Sequence, residues 1–299
     1  MNAAPPRFAA PRMPHAAEMQ TAGDRSEETP PSSVSAAPPV PQRVSGIVRP
    51  VVRADGALLI HIASGTILYA DNKDTIRPLA SLTKLMTALV TLDHVTDRDS
   101  VMVVTEADDA KSGRLYVRPG DHFRVRDLLS MSLVASANDA TLALARASGL
   151  DRASFVRAMN EKAGALGLRY TAFSDPTGLD PRNVSTPAEV ARLLAAALSQ
   201  PVLEAELKRK EFRYATADGT RTGVVQSMNR LFEKAAYEII GGKTGYIEES
   251  GYNFATEARS VASGQEFLVV VMGAGSDEGR FAEAAGLLQW EDKAWTFSK

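Results

Sequence analysis

Three short motifs along this chain of 299 residues contain the residue types of a site that cleaves an amide by nucleophilic attack. A serine hydroxyl can attack a carbonyl carbon when a nearby base accepts its proton. A lysine can be that base if burial or a second cation lowers its pKa. Such a site requires no histidine, cysteine or metal ion. In chain order the motifs are Ser81-Leu82-Thr83-Lys84, Ser136-Ala137-Asn138 and Lys243-Thr244-Gly245.

Each motif contributes a different chemical group. Ser81 opens a predicted helix, where backbone N–H groups converge, and Lys84 lies three residues later on the same helix face. Lys243 is the expected second cation. Ser136 can relay a proton between Lys84 and a leaving amine, and the amide of Asn138 can hold the substrate backbone. Each motif alone is weak evidence, but their joint occurrence in this order predicts one active site.

The composition argues against several other kinds of site. The chain has no cysteine, which excludes disulfides, thiol catalysis and cysteine-ligated zinc. The net charge is -2 and the longest basic run is Lys208-Arg209-Lys210, so we expect no nucleic-acid partner. The sequence contains no run of about 20 apolar residues, so we predict no integral membrane span. The four histidines form no metal-ligand pattern; these histidines are His15, His61, His94 and His122. We therefore predict neither a metal nor a cofactor.

Hydrophobic periodicity predicts an α+β domain in which helices pack on an antiparallel sheet. Thr186-Pro187-Ala188-Glu189 predicts a helix start with a capping box. Predicted strands cover 57–62 and 66–70, which form a hairpin, and 101–105, 211–215, 237–240, 252–258 and 267–272. Predicted helices cover 79–90, 125–134, 140–147, 154–166, 186–198 and about 280–290.

The ends of the chain differ from this domain. Residues 1–45 are rich in proline and alanine, contain no long apolar run and are predicted to be a disordered tail. This segment lacks the basic start and apolar stretch of a secretory signal. We therefore predict a catalytic domain over residues 46–292 and a short C-terminal tail over residues 293–299.

The residues around the three motifs resemble those of low-molecular-mass penicillin-binding proteins, a family of serine D,D-peptidases. The resemblance covers about residues 46–290 and includes a fourth segment, Asp175-Pro176-Thr177-Gly178-Leu179-Asp180, which we expect to shape a loop. It implies a β-lactamase/transpeptidase-like fold with an all-helical subdomain, and a periplasmic or otherwise extracytoplasmic location. It also implies peptidoglycan peptides as substrates and β-lactam antibiotics as covalent inhibitors.

The same resemblance assigns further substrate-binding residues. The backbone N–H groups of Ser81 and Tyr246 would form the oxyanion hole, and Thr244 and Gly245 would lie against the substrate. Arg280 would hold the terminal carboxylate of the substrate, a role that suits a guanidinium fork. Two positions depart from the family pattern. Ile247 replaces a frequent threonine, which puts one substrate contact in doubt, and Ala137 replaces glycine or aspartate, which should be harmless.

Four functions are compatible with these residues. Arg280 favours a D-Ala-D-Ala carboxypeptidase. The expected absence of a β-rich domain after residue 290 and the segment Asn183-Val184-Ser185-Thr186 favour a D,D-endopeptidase that cuts the D-Ala–diaminopimelate cross-link. A β-lactamase is less expected, because no E-x-x-L-N segment is present to supply a deacylating glutamate. The intact motifs argue against a non-catalytic binding protein.

Overall fold

The computed structural model describes residues 40–112, 115–233 and 236–297. The α-helices are α1 (Thr83–His94), α2 (Val125–Val134), α3 (Asn138–Ala147), α4 (Arg152–Ala165), α5 (Pro187–Leu198), α6 (Pro201–Leu207) and α7 (Asp277–Ala294). The strands are β1 (Gln42–Arg43), β2 (Gly56–His61), β3 (Thr66–Asp71), β4 (Arg77–Pro78), β5 (Val101–Val103), β6 (His122–Arg124), β7 (Val184–Ser185), β8 (Glu211–Ala215), β9 (Thr222–Gln226), β10 (Tyr237–Ile247), β11 (Gly251–Ser260), β12 (Glu266–Ala274) and β13 (Trp295–Thr296). Short 3₁₀ turns cover Ala80–Leu82, Glu106–Asp108 and Arg230–Glu233.

A five-stranded antiparallel sheet is the centre of the fold. Its strand order is β10-β11-β12-β2-β3, so β10 lies at an edge and β12 lies in the middle. The run Phe267–Met272 of β12 is wholly buried. A continuous apolar run is expected of a strand that is covered on both faces. The predicted hairpin is confirmed as β2 and β3.

Helices cover both faces of this sheet. Alternate strand residues contribute to two separate cores, because successive side chains of a strand point to opposite faces. Leu58 and Val270 belong to the core shared with α1–α6, whereas Leu59 and Val271 belong to the core under α7. The predicted α+β class with a helical subdomain is therefore confirmed.

Several local predictions differ from the observed elements. The capping box is only half formed: the hydroxyl of Thr186 accepts from the N–H of Glu189 at 3.2 Å, but the Glu189 carboxylate accepts from the N–H of Tyr170 at 2.9 Å instead. Helix α6 and strand β9 were not predicted. Strand β10 continues to Ile247, seven residues beyond its predicted end, because pairing with β11 overrides the low strand propensity of glycine.

The predicted domain boundaries lie too far inside the chain at both ends. Gln42–Arg43 pairs with Trp295–Thr296, so the predicted N-terminal tail contains a strand and the predicted C-terminal tail contains its partner. The N–H of Val44 also donates to the carbonyl of Ala294 at 2.8 Å. The remaining residues of the predicted N-terminal tail, 1–39, lie outside the described residues. Within the described residues, no helix combines the length and the apolar character needed to cross a membrane.

Candidate active site

The turn that carries Ser81 is held from two sides. Ala80 has a left-handed φ of 48°, an unfavourable conformation for an L-residue that surrounding contacts must stabilise. On one side, the side-chain amide of Asn253 donates to the carbonyls of Pro78 and Leu79 at 3.0 and 3.1 Å. On the other side, a Cβ at Gly178 would lie 1.9 Å from the carbonyl oxygen of Ala80, so only glycine fits there. These contacts fix the position of the Ser81 hydroxyl.

Lys84 is fully buried directly beneath Ser81. Its Nζ lies 2.8 Å from the Ser81 Oγ and 2.7 Å from both the Asn138 Oδ1 and the Thr177 carbonyl oxygen. Two of these three neighbours can only accept a hydrogen bond. A neutral amine that donates to Asn138 and Thr177 directs its lone pair toward Ser81. The geometry therefore suits a base that takes the serine proton.

Burial lowers the pKa of Lys84 to about 7, against an attraction from the Asp175 and Asp139 carboxylates that raises it. The main cause is therefore desolvation rather than the second cation, Lys243. A pKa near neutrality leaves a large fraction of the lysine neutral at physiological pH, which is what a general base requires.

Ser136 lines the same cleft as Ser81 and is hydrogen-bonded to the second lysine. Its φ of 57° is left-handed, which is uncommon for a residue other than glycine and is typical of strained functional positions. The Lys243 Nζ lies 2.8 Å from the Ser136 Oγ and donates to the carbonyl of Thr244 at 2.9 Å. Burial, with smaller effects of Lys84 and Arg280, holds the pKa of Lys243 well below its ordinary value.

The edge strand β10 brings the third motif beside the nucleophile. A Cβ at Gly245 would lie 3.0 Å from the backbone nitrogen of Ser81 and 2.9 Å from the carbonyl of Leu79. Glycine therefore lets the strand approach the Ser81 N–H closely. This is the close approach that an oxyanion hole formed by Ser81 and Tyr246 requires, and that assignment stays a prediction.

Arg280 is buried at the start of α7 and bound to the two strands beside it. Its Nη1 donates to the carbonyls of Gly245 and Asn253 at 3.0 and 3.3 Å, and its Nη2 pairs with the Asp277 carboxylate. These contacts leave further N–H groups on the guanidinium. Arg280 also lines the cleft.

The structure brings all nine predicted site residues to one cleft. Lys84 and Lys243 lie buried beneath it, and the other predicted residues that line it are Ser81, Ser136, Asn138, Thr244, Gly245, Tyr246 and Arg280. Sequence reasoning missed three lining residues, which are Tyr116, Ala135 and Met228. The Asp139 carboxylate accepts from the backbone N–H groups of Tyr116 and Val117 and thereby holds Tyr116 at the cleft. Met228 follows β9, whose strand pattern was not recognised.

The loop from Asp175 to Asp180 contributes more than its predicted shape. The Asp175 carboxylate accepts from the N–H groups of Thr177 and Gly178 at 2.9 and 3.0 Å, which fixes the turn. Asn183 donates to the same carboxylate and to the Thr83 hydroxyl. The loop thus presents the Thr177 carbonyl to Lys84. A backbone acceptor has no side-chain pattern, so no sequence motif could have identified it.

The neutral form of Lys84 is the reactive one, so we expect acylation to depend on pH. Because the pKa is about 7, the rate of benzylpenicillin acylation should rise with pH, by about tenfold per unit below the pKa. It should level off above the pKa. Stopped-flow or quenched mass measurements between pH 5 and 9 check this. A rate that is flat across that range, or that falls as pH rises, would contradict Lys84 as the base.

Comparison with known families and structures gives matches over most of the chain. A family model for Peptidase_S11, described as D-alanyl-D-alanine carboxypeptidase, matches residues 44–276. A D-alanyl-D-alanine endopeptidase of Pseudomonas aeruginosa is 32% identical over 261 residues, which is 87% of this chain and 83% of that protein. The D-alanyl-D-alanine carboxypeptidase DacC of Escherichia coli is 34% identical over 255 residues, covering 81% of this chain and 62% of the longer relative.

Solved structures show the same fold. The D-alanyl-D-alanine carboxypeptidase of Mycobacterium tuberculosis H37Rv superposes with a TM-score of 0.75 at 27% identity, covering 86% of this chain and 99% of that one.

Proposed function

Because this chain belongs to the Peptidase_S11 family of D-alanyl-D-alanine carboxypeptidases, we propose that it removes D-Ala from peptidoglycan stem peptides through an acyl-enzyme on Ser81. The observation that carries this proposal is the 2.8 Å contact between the Ser81 Oγ and the buried Lys84 Nζ. A nucleophile within hydrogen-bond reach of a base with lowered pKa is the arrangement that covalent catalysis requires.

The groups in the cleft account for each step of acylation. Lys84 takes the proton of Ser81 while the Oγ bonds to the penultimate D-Ala carbonyl carbon. Backbone N–H groups of Ser81 and Tyr246 stabilise the negative charge on the carbonyl oxygen. The carbon–nitrogen bond then breaks, and the Ser136 hydroxyl passes a proton to the leaving amine. The proton that Lys84 took from Ser81 then replaces the one lost by Ser136, whose hydroxyl lies 2.8 Å from the Lys243 Nζ.

Deacylation reverses the same transfers with water as the nucleophile. A water molecule loses a proton to Lys84, its oxygen bonds to the acyl carbon, and the ester bond to Ser81 breaks. Ser81 recovers its proton and the shortened peptide leaves. A β-lactam would follow the acylation route and leave a long-lived ester on Ser81. We therefore propose β-lactams as covalent inhibitors.

The second candidate function is cleavage of the D-Ala–diaminopimelate cross-link, and the name of the Pseudomonas relative favours it. The proposed role of Arg280 suits both reactions. In both substrates the residue that leaves carries a free carboxylate next to the scissile nitrogen, and a guanidinium could bind either one. The two activities therefore differ in the side chain of the leaving residue. Either activity places the enzyme at the cell wall, so we propose an extracytoplasmic, periplasmic location.

Substitution of Arg280 tests whether its guanidinium binds the substrate carboxylate. Arg280→Gln should lower kcat/KM for a D-Ala-D-Ala pentapeptide by roughly 10- to 100-fold, the usual effect of losing a charge-assisted hydrogen bond. A pentapeptide with an amidated C-terminus has no carboxylate to lose. Wild type should discriminate strongly between the acid and the amide, and Arg280→Gln should do so weakly. If the ratio of kcat/KM for the acid to kcat/KM for the amide were equal in the two proteins, it would contradict carboxylate binding by Arg280.

The function itself is tested by product analysis. Purified protein is incubated with a muropeptide ending in D-Ala-D-Ala and, separately, with a cross-linked muropeptide dimer. Release of D-Ala from the first substrate supports the carboxypeptidase. Conversion of the dimer to monomers without D-Ala release establishes the endopeptidase instead. Failure on both, with no adduct from benzylpenicillin, would overturn the proposal.

A further inference from the structure

An aromatic surface at the rim of the cleft is not used by the chemical steps described above. Tyr246 follows the third motif directly and its side chain is 51% exposed, although it stands on a strand that is otherwise largely buried. Tyr246 also lines the cleft that contains Ser81. An exposed aromatic side chain at a binding cleft offers apolar contact area at low entropic cost.

The ring of Tyr246 is held in place from behind. Tyr252 lies directly opposite Tyr246 in the β10–β11 pair, and the two rings stack with centroids 4.3 Å apart and planes inclined by 28°. The guanidinium carbon of Arg280 lies 5.4 Å from the centroid of the Tyr252 ring. Tyr252 is therefore fixed between the exposed tyrosine and a buried arginine, and Tyr246 is a preorganised surface rather than a mobile side chain.

This surface lies at the end of the cleft where the leaving residue would bind. The Nη1 of Arg280 donates to the carbonyl of Gly245, the residue immediately before Tyr246. A substrate whose carboxylate approached Arg280 would thus place its leaving residue beside the Tyr246 ring. Met228, which is 45% exposed, lines the same cleft, and its segment is tied to the start of α7 by a 2.5 Å ion pair between Arg230 and Asp277.

We infer that Tyr246 is a specificity-determining residue that binds the side chain of the leaving residue and favours one with an extended aliphatic chain. This inference rests on the proposed function and deepens it. The leaving D-Ala of a stem pentapeptide offers only a methyl group to the ring. The leaving diaminopimelate of a cross-link offers a polymethylene chain, which can lie along the ring and bury more apolar surface.

The difference between the two substrates should be measurable. Additional methylenes in an apolar subsite typically change kcat/KM by about tenfold or more. Loss of the ring should therefore slow hydrolysis of a cross-linked dimer by roughly tenfold more than hydrolysis of a pentapeptide. Loss of the phenolic hydroxyl alone should leave the ratio of the two hydrolysis rates close to that of wild type, since the proposed contact uses the ring.

The test compares three variants with wild type on both muropeptides. Tyr246→Ala removes the ring, Tyr246→Phe retains it, and Tyr170→Ala is a matched control because Tyr170 is similarly exposed, at 58%, and does not line the cleft. Benzylpenicillin acylation of each protein, followed by intact mass, reports whether the nucleophile is functional. We expect a selective loss of dimer hydrolysis in Tyr246→Ala and a wild-type ratio of dimer to pentapeptide hydrolysis in Tyr246→Phe. Both rates of Tyr170→Ala should lie within about twofold of wild type.

Three results would overturn this inference. They are equal losses on both substrates in Tyr246→Ala, a Tyr246→Phe variant that behaves like Tyr246→Ala, and a wild-type protein that releases D-Ala but leaves the dimer intact. In each case, if benzylpenicillin still acylated the wild-type protein, the proposed function would not be contradicted. A wild-type protein that is not acylated and cleaves neither muropeptide would overturn the proposed function as well.

Discussion

Ser81→Ala should form no covalent adduct with benzylpenicillin and should lose D,D-peptidase activity, with a fall in kcat of roughly 10⁶-fold, as for other serine nucleophiles. The physical reason is that acylation requires an oxygen at this position, and an alanine methyl group cannot form an ester. Intact-mass spectrometry after brief exposure to the drug measures the adduct, and product analysis with muropeptides measures the activity.

Ser81→Ala should lose its activity without losing its fold. The hydroxyl has one described partner, the Lys84 Nζ at 2.8 Å, and removing one such hydrogen bond changes stability by only about 1 kcal/mol. The melting temperature of Ser81→Ala should therefore stay close to that of wild type. Ser199→Ala, at an exposed position after α5, is the matched control and should be acylated normally. An adduct that persists in Ser81→Ala and maps to a peptide containing Ser136 would show that the nucleophile is wrongly assigned.

Lys84→Met should reduce the rate of acylation by about 10²- to 10⁴-fold, the range typical of a lost general base. Methionine approximately fills the space of the aliphatic lysine stem but cannot accept the proton of Ser81. The effect should appear in the acylation rate constant, measured by the growth of the adduct with time, while the site of the adduct stays the same.

The variant should also lose the pH dependence expected of wild type, because the group with a pKa of about 7 has been removed. Lys208→Met replaces an exposed lysine and is the matched control; it should retain both the rate and the pH profile. An unchanged acylation rate in Lys84→Met would assign the base to another group. A melting temperature close to that of wild type excludes unfolding as the cause of a loss.

The amino-acid sequence by itself determined the chemistry and most of the elements around it. Helix α2 begins and ends at its predicted residues, and the hairpin of β2 and β3 lies within one residue of its predicted bounds. These elements have strong apolar periodicity and clear turn residues, which act over a few neighbouring positions. The motif residues were also visible, because their roles depend on side-chain type and on short, regular spacing.

The tertiary structure decided how far elements extend where local preference is weak. Strand β10 runs through Gly241, Gly242 and Gly245, which have low strand propensity, and it persists because β11 pairs with it along its whole length. The pairing of Gln42–Arg43 with Trp295–Thr296 joins residues at opposite ends of the described chain. Local sequence contains no information about such partners, so both boundaries were misplaced.

The tertiary structure also decided what makes the predicted residues reactive. Lys84 is suited to act as a base because burial lowers its pKa and because the carbonyl of Thr177, 93 residues away in sequence, accepts a hydrogen bond from its Nζ. Asn253 holds the turn before Ser81, and Gly245 admits the edge strand to the Ser81 N–H. Burial and backbone contacts between distant segments leave no local pattern, whereas a serine and a lysine three residues apart do. The sequence therefore predicted which groups react, and only the packing of the sheet against the helices determined their burial and geometry.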